Sequence, residues 1–338
     1  MRRGPPVGHL GPYVLRVLAA ADRHFATCAR TYNLLVLRSL ILRVINRPFV
    51  RRMATGGLGR RVALRFVAGE DIDHAVDAIR AINAEGASAS ADYLGENVTD
   101  LEQAKAAAGA YMATLDRIAA EGLSANISVK LTQLGLDIDS SQMVALIEEI
   151  VARAAQIGTS VTLDMEDHRY TERTVETAVR LARAFPGAVG VAVQAYLHRT
   201  PADLERLIEA GAGVRLCKGA YSERHEIAYR RKAEVDAAFA RLANRLLTSD
   251  SYAMLATHDE RLVQHILKQL EKIGRAPGTY EFQMLYGVRR ELQRRLDAQG
   301  YRLRVYVPFG SEWYPYLMRR IAERPANVRF FIEALARG

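Results

Sequence analysis

Residues 189–220, VGVAVQAYLHRTPADLERLIEAGAGVRLCKGA, contain two short apolar runs on either side of a helical stretch. The first run, VGVAVQAY, is rich in valine, as β-strands commonly are. PADLERLIEAGA then places leucine and isoleucine at helical spacing and closes with a glycine. GVRLCKGA returns to a strand pattern. Two neighbouring strands joined through a helix pair in parallel, so this stretch predicts one βαβ unit.

The same strand and helix rhythm continues along most of the chain. No GxGxxG follows the first strand-like run, which disfavours a dinucleotide-binding doubly wound sheet. Eight strand-helix units in about 250 residues instead predict an α/β fold with a (βα)8 TIM-type barrel. The eight β-prone or apolar runs are ASADYLG, ANISVKLT, SVTLDMED, VGVAVQAY, GVRLCKGA, YAMLATHD, YEFQMLYG and LRVYVPFG.

The positive charge is concentrated at the N-terminus. The chain has a net charge of +9, yet residues 1–69 contain thirteen arginines, no lysine and one acid, Asp22, which leaves the remainder at −3. The apolar stretch YNLLVLRSLILRVINRPFVRR is interrupted by arginines, so no run reaches the roughly 20 residues of a membrane span. Two interpretations stay open: a helical subdomain with a solvated basic face, or contact with a membrane surface. Nucleic-acid binding is disfavoured, because the arm contains no recognisable module and the body is acidic.

These features predict the domain organisation and the compartment. We expect a basic helical arm over residues 1–85 and a catalytic barrel domain over residues 86–338. Cys28 and Cys217 lie far apart without CxxC spacing, which fits a reducing compartment. Charged residues break the apolar core that an export signal would need. We therefore predict a cytoplasmic protein.

Polar residues follow the predicted strands, at the end of a barrel where active sites lie. Only six residues of the chain are lysines, and two of them, Lys130 and Lys218, end predicted strands. Each could form a structural ion pair, but two at equivalent strand ends favour a ligand such as a carboxylate, a phosphate or a Schiff base. The other polar residues at these ends are Asp164, Glu166, Asp167, Gln194, Thr257, His258, Asp259 and Tyr286.

Three motifs leave alternatives open. The carboxylates of DMED suit a hard cation, but nearby basic side chains can satisfy them, and we favour hydrogen-bonding roles over a metal. His258 in ATHD could be a base, a cofactor donor or a zinc ligand; without an HxH or HExxH partner, zinc is the least favoured. RLCKGAY combines two cations with a tight Gly–Ala turn suited to an anion, and an ordinary strand-to-helix turn explains it equally well.

The stretch LMRRIAERPANV places Arg319 and Arg320 side by side on the last predicted helix. An exposed arginine pair beside Glu323 would be a solvated helix face and would add little stability. Beside Lys130 at the barrel mouth, a small carboxylate is the better partner, because guanidinium groups bind carboxylates through two parallel hydrogen bonds. The side chains expected to line this pocket are Tyr306, Tyr221 and Leu285.

Nine motifs occur in one order between about Arg65 and Phe330: RFVAGE, YLGE, SVKLTQLGLD, DMED, VQAYL, RLCKGAY, ATHD, YEFQMLYG, and VYVPFG followed by YLMRRIAERPANV. Together they resemble the flavin-dependent proline dehydrogenases of the monofunctional bacterial type. The resemblance implies a distorted (βα)8 barrel that carries FAD, with the last helix over the barrel mouth. It also implies oxidation of L-proline to Δ1-pyrroline-5-carboxylate, the first step of proline catabolism, with electrons passed to a membrane quinone.

The resemblance further implies roles for single residues. Lys130, Arg319 and Arg320 would hold the proline carboxylate, with the catalytic Asp164 nearby. Catalytic Arg215 would lie close to the reactive flavin nitrogen. The side chains that would pack against the proline ring are Tyr306, Tyr221 and Leu285. The residues at FAD-contact positions are Met165, Gln194, Arg215, Lys218, Gly219, Ala220, Thr257 and His258. No metal is implied.

The resemblance also predicts partners. No aldehyde dehydrogenase domain follows the motifs, so a separate pyrroline-5-carboxylate dehydrogenase is expected to consume the product. The basic arm could bring the barrel to the inner face of the cell membrane, and no nucleic acid is expected as a partner. The competing function is a metal- or Schiff-base-dependent barrel lyase that uses DMED with His258 or Lys218.

Overall fold

A computed structural model describes residues 64–95, 98–314, 316 and 317. Within them, eight parallel strands form a closed barrel in which neighbours in sequence are neighbours in space and the last strand pairs with the first. This confirms the predicted (βα)8 barrel. The strands are β1 (Ser88–Tyr93), β2 (Ala125–Val129), β3 (Val161–Leu163), β4 (Val189–Gln194), β5 (Gly213–Cys217), β6 (Ala253–Ala256), β7 (Tyr280–Leu285) and β8 (Leu303–Phe309).

Among the described residues one helix precedes β1, and each strand from β1 to β7 is followed by a helix that leads to the next strand. A short 3-10 helix, Leu131–Leu134, follows β2 directly. None of the described helices is long and apolar enough to cross a bilayer. The helices are α1 (Ile72–Ala84), α2 (Leu101–Ala120), α3 (Ser140–Gln156), α4 (His168–Ala184), α5 (Thr200–Glu209), α6 (Lys232–Leu247), α7 (Glu260–Ile273) and α8 (Arg290–Ala298).

Aspartate caps begin many of these helices. A side-chain carboxylate at this position accepts a hydrogen bond from a backbone N–H that the first helical turn leaves unpaired, which stabilises the helix by about 1 kcal/mol. At the other end of α7, Gly274 adopts the left-handed conformation with φ 62°, which glycine adopts without steric cost. The capping aspartates are Asp71, Asp100, Asp139, Asp167 and Asp259.

Helix α1 falls within the segment predicted to be an arm. It buries Ala75, Val76 and Ile79 and packs against β1 and β8. The division at residue 85 stays a prediction, and the barrel body extends back to Leu64 as one compact unit. The rest of the predicted arm, residues 1–63, and the helix predicted over the barrel mouth lie outside the described residues.

The two faces of the barrel strands differ in polarity. Outward-facing side chains such as Ile127, Val191 and Phe282 are fully buried against the helices. Inside the barrel, β4 carries the small residues Gly190 and Ala192, and Met254 of β6 fills the space beside Gly190, with its Cε 2.9 Å from where a Cβ would stand. Strands β1, β2, β7 and β8 instead point serine, asparagine, glutamate, glutamine and arginine inward. The barrel interior is therefore polar along one side.

Candidate active site

Arg215 on β5 lies at the centre of the barrel and is only 4% exposed. Its Nε donates to Gln283 Oε1 on β7 at 2.6 Å, and Nη1 donates to Asp164 Oδ1 at 2.5 Å. Nη2 donates to Ser128 Oγ at 2.9 Å and to Ser90 Oγ at 3.3 Å. A buried guanidinium needs such partners because its charge loses contact with water. Side chains on β1, β2 and β7 and at the end of β3 therefore hold the cation of β5 in a fixed place.

Asp164 follows β3 and joins Arg215 to Tyr306. Its second oxygen, Oδ2, accepts a hydrogen bond from the Tyr306 hydroxyl at 2.6 Å. The Arg215 guanidinium carbon also lies 5.3 Å from the centre of the Tyr306 ring, within cation–π range. Burial and the Asp164 carboxylate raise the pKa of Tyr306 well above its usual value, so its hydroxyl stays protonated and donates to Asp164.

Lys130 follows β2, as the sequence predicts, and turns into the barrel beside two carboxylates. Its Nζ lies 2.8 Å from Asp92 Oδ1 on β1 and 3.9 Å from Asp164 Oδ2. Burial raises the pKa of Asp92, which is fully buried. The nearby charge of Lys130 opposes this rise, and the negative charge of Asp164 adds to it. One ammonium thus lies between two acids, close to the ring formed by Arg215, Asp164 and Tyr306.

Sequence reasoning missed several residues of this cluster. Asp92 belongs to SASADY, in which Ser88, Ser90 and Asp92 alternate with alanine or tyrosine. Parallel barrel strands are usually apolar on both faces, so polar residues at every second position indicate an interior that binds something polar. The same alternation in ANISVK and EFQ marks the other residues that the structure adds to the cluster, Ser128, Gln283 and Glu281.

A second group of predicted site residues surrounds the turn after β5. Gln194 Nε2 donates to the Glu166 carbonyl at 2.8 Å, and its Oε1 accepts from the Ala220 amide at 3.4 Å. Gly219 has φ 116°, and a Cβ there would stand 2.2 Å from the Tyr196 ring. Glycine is required at this position by both its conformation and its packing.

Lys218 lies one residue beyond β5 and points away from the Lys130 cluster. Its Nζ contacts Asp236 Oδ1 at 2.6 Å and Asp259 Oδ2 at 2.8 Å, and Lys232 binds the same two carboxylates. Burial works to raise the pKa of Asp259, but Lys218 and Lys232 outweigh it and hold that pKa well below the usual range. The two strand-end lysines, Lys130 and Lys218, therefore do not share one ligand position, because they lie on opposite faces of the barrel wall.

The ATHD motif connects β6 to its neighbour. His258 Nε2 accepts a hydrogen bond from the backbone N–H of Leu285 at 2.9 Å, so a proton on the neutral ring belongs on Nδ1. Thr257 Oγ1 accepts from the Asp259 amide at 3.1 Å. The His258 bond holds the ends of β6 and β7 together beside the mouth, and the Thr257 bond shapes the turn after β6.

Each of the three acids in DMED binds a different set of partners. Asp164 binds Arg215 and Tyr306, as described above. Glu166 accepts from the Thr132 hydroxyl at 2.8 Å, and Asp167 caps α4 by accepting from the Arg169 amide at 3.0 Å. Among the described residues, no group of three or more histidine, cysteine or acidic side chains could hold a metal ion.

The barrel mouth has a charged side and an uncharged side. Asp92, Lys130, Asp164 and Tyr306 come from β1, β2, β3 and β8. Strand order places the ends of β4 to β7 on the opposite side of the mouth. Side-chain alternation turns four uncharged residues inward there: Gln194, Cys217, Ala256 and Leu285. Met165 is buried, while Tyr221 and Ala220 are partly exposed beside the turn after β5. Arg319 and Arg320 lie outside the described residues.

A closed (βα)8 barrel with buried ionisable groups at the carboxyl ends of its strands defines a barrel enzyme. The chain belongs to the proline dehydrogenase family: the family model described as "Proline dehydrogenase" matches residues 75–333. Proline dehydrogenase 1 of Bacillus subtilis subsp. natto is 36% identical over 301 residues, covering 89% of this chain and 99% of the relative. Proline dehydrogenase of Deinococcus radiodurans is 36% identical over 305 residues, covering 89% and 98%.

Solved structures show the same fold. Proline utilization A (PutA) from Bdellovibrio bacteriovorus, inactivated by N-propargylglycine, superposes with a TM-score of 0.73 at 26% identity, over 78% of this chain. This chain spans 33% of the length of that protein. A PutA variant from Bradyrhizobium japonicum gives a TM-score of 0.68 at 23% identity. The family confirms the predicted oxidoreductase and implies a flavin cofactor, and the competing lyase function is not supported.

Proposed function

We propose that this chain oxidises L-proline to Δ1-pyrroline-5-carboxylate with FAD as its cofactor. As a member of the proline dehydrogenase family it is an oxidoreductase that acts on proline. The observation that carries the finer proposal is the buried set of Lys130 and Asp164, at the carboxyl ends of two strands, with Arg215 bound to Asp164 at the barrel centre. Such a set can hold a small charged substrate in one orientation.

The two-sided mouth fits a flavin and a small zwitterion together. The uncharged side offers room for a flat ring system, with Cys217, Ala256 and Leu285 all partly exposed. The residues proposed to hold FAD are Met165, Gln194, Arg215, Lys218, Gly219, Ala220, Thr257 and His258. The Gly219–Ala220 turn and Lys218 supply the backbone donors and the cation that suit an anionic part of the cofactor. When bound, the flavin supplies the hydride acceptor.

The charged side is proposed to bind and orient the substrate. Lys130 attracts the proline carboxylate, and Arg319 and Arg320 complete the anion site. Tyr306, Tyr221 and Leu285 pack against the ring and fix the carbon that is oxidised. Asp164 holds the Arg215 guanidinium and the Tyr306 hydroxyl in place, so that the cation beside the flavin does not need to reorganise during the reaction.

The decisive experiment uses the purified protein without added cofactor. Proline added under anaerobic conditions should bleach the visible absorption bands of a bound oxidised flavin, and the product should react as a cyclic imine. Arg319→Met and Arg320→Met should each raise the KM for proline far more than they disturb folding. A colourless protein that proline leaves spectroscopically unchanged would refute the proposal.

The partners beyond proline are also proposals. A membrane quinone takes the electrons from the reduced cofactor, and the basic arm brings the barrel to the inner face of the cell membrane. A separate pyrroline-5-carboxylate dehydrogenase then oxidises the product. Reoxidation of the reduced protein by quinones presented in vesicles would test the acceptor.

A further inference from the structure

A column of buried polar side chains runs through the barrel and ends at the mouth. Arg304 Nε donates to Glu281 Oε1 at 2.7 Å, and Gln283 Nε2 donates to the same oxygen at 2.6 Å. Arg215 Nε then donates to Gln283 Oε1 at 2.6 Å, and its Nη1 reaches Asp164. Each member touches the next, so Glu281, two residues deeper on β7, connects to the site through Gln283. We call these five side chains the polar column.

The neighbours of Gln283 permit only one orientation of its amide. An ionised Glu281 has no proton to donate, so it must face the NH2 group of Gln283. Arg215 has no acceptor, so it must face the carbonyl oxygen of the same amide. Both requirements agree. The amide therefore cannot rotate by half a turn without losing two hydrogen bonds to charged groups, and charge-assisted bonds of this kind are stronger than neutral ones.

Glu281 stays ionised although it is only 2% exposed. Burial alone would raise its pKa, but Arg304 and hydrogen bonds from Gln283 and Tyr252 outweigh burial and keep the pKa below the usual value. Replacing a buried ion pair by apolar side chains is often neutral or stabilising. In this barrel, β4 and β6 already fill their interior positions with uncharged residues. Stability alone does not require the polar column.

We propose that Glu281 is a positioning residue that sets the orientation of the Arg215 guanidinium at the barrel mouth through the Gln283 amide. The inference rests on the proposed function, in which Arg215 lies beside the flavin. Arginine has a long flexible stem, and Asp164 and Ser128 hold only the outer nitrogens of this guanidinium. The Gln283 carbonyl holds Nε and so restrains the stem itself. Loosening this restraint would weaken the support that the cation gives to the reduced, more anionic flavin.

The test compares two variants of the holoenzyme. One replaces Glu281 itself, and the other removes the hydrogen bond to the Glu281 oxygen that does not contact Gln283. Glu281→Gln leaves an amide that can donate or accept, so one of the two requirements on the Gln283 orientation is removed and only Arg215 still selects it. We expect the flavin midpoint potential to become more negative and the rate of flavin reduction by saturating proline to fall at least fivefold, with less than a twofold change in KM. The matched control is Tyr252→Phe, which removes the 2.9 Å hydrogen bond to Oε2 and leaves Gln283 untouched. It should lower stability yet leave the midpoint potential unchanged and keep the rate within twofold.

A further variant, Gln283→Met, keeps the test decisive if Glu281→Gln does not fold. A crystal structure without cofactor gives a result that does not depend on the flavin. Gln283→Met preserves the side-chain shape, removes both bonds of the amide, and should shift the potential at least as much as Glu281→Gln. In a crystal structure of Glu281→Gln without cofactor, the distance from Arg215 Nε to the Gln283 side-chain oxygen should be longer than the 2.6 Å of the wild type.

Three results would overturn the proposal. The first is an unchanged flavin potential in both Glu281→Gln and Gln283→Met. The others are an unchanged Arg215–Gln283 bond in Glu281→Gln, or a potential shift in Tyr252→Phe equal to that in Glu281→Gln. Failure of the proposed function looks different. The wild-type protein would then show no proline-dependent reduction, while the crystallographic comparison would still decide whether Glu281 positions Arg215.

Discussion

Lys130 shows how one buried charge depends on another. Its ammonium is shared by Asp92 and Asp164, and Asp92 is fully buried. A lone carboxylate in such a place is costly, because neither water nor a counter-ion compensates its charge. The lysine therefore both stabilises the barrel and carries the positive charge that we assign to substrate binding.

A double-mutant cycle separates these two roles. Lys130→Met should reduce the free energy of unfolding by roughly 3 kcal/mol, since it leaves Asp92 buried without its cation. Adding Asp92→Asn should restore much of that loss, while the KM for proline should stay raised at least tenfold because the ammonium is still missing. Urea unfolding and steady-state kinetics measure the two effects. Strictly additive losses of stability would show that the two side chains do not interact.

Tyr306 is the other residue with a fixed position at the mouth. Its hydroxyl is held by Asp164 at 2.6 Å, and its ring packs beside Arg215. We expect a ring packed against proline to crowd a 4-hydroxyl group, so kcat/KM should favour proline over 4-hydroxyproline by at least tenfold. Tyr306→Phe, which removes one oxygen atom, should reduce this preference. Comparable kcat/KM for both substrates in the wild-type protein would contradict the assignment.

At the scale of elements, the turn after β5 and the start of α7 are held by one carboxylate. Asp259 caps α7 through the Arg261 amide at 3.1 Å and also binds Lys218 and Lys232. One residue thus anchors a helix and the strand end that carries the proposed cofactor turn. The cap needs only an oxygen acceptor, whereas the lysines need a charge.

Asparagine at position 259 should separate the cap from the charge. Asp259→Asn retains a good cap but should lose up to about 1 kcal/mol of stability at pH 7, typical of a partly exposed ion pair. The pKa of Asp259 is lowered in the folded state, so its stabilisation is present above the unfolded pKa of about 4 and is lost as the pH falls below it. The difference in stability between wild type and variant should therefore begin to shrink below about pH 4 and keep shrinking as the pH falls toward the lower folded-state pKa of Asp259. A constant difference across that pH range would exclude the ion pair as its cause.

At the scale of the whole molecule, the charge distribution predicts where the enzyme works. Residues 1–69 carry +12 while the rest carries −3. A basic segment rich in leucine is attracted to anionic lipid surfaces, and this attraction weakens with salt. The barrel itself has no comparable basic excess.

Liposome binding tests this asymmetry. The full-length protein should bind anionic vesicles, and binding should fall steeply between low and physiological salt. A chain that begins at Val62 should bind neutral and anionic vesicles equally weakly, while it retains the barrel. Equal binding of anionic vesicles by the full-length and shortened chains would rule out the arm as the membrane contact.

The sequence by itself determined the barrel and most of the strand-end residues. Eight apolar runs, separated by helical stretches, can bury their backbone hydrogen bonds only in a parallel sheet closed by helices, and this periodicity is local information. The position of Lys130 and Asp164 at strand ends follows from the same pattern. The family motifs added roles for Arg215, Tyr306 and the turn at Gly219.

Only the tertiary structure decided which of these side chains meet. Lys130 turns into the barrel and Lys218 turns away, although both follow a strand directly, because the two strands present opposite faces at that position. Asp92 and Gln283 joined the site through contacts with residues 38 and 68 positions away, and Glu281 joined it through Gln283 on the same strand. Strand register and barrel closure set such contacts, and no short stretch of sequence contains them.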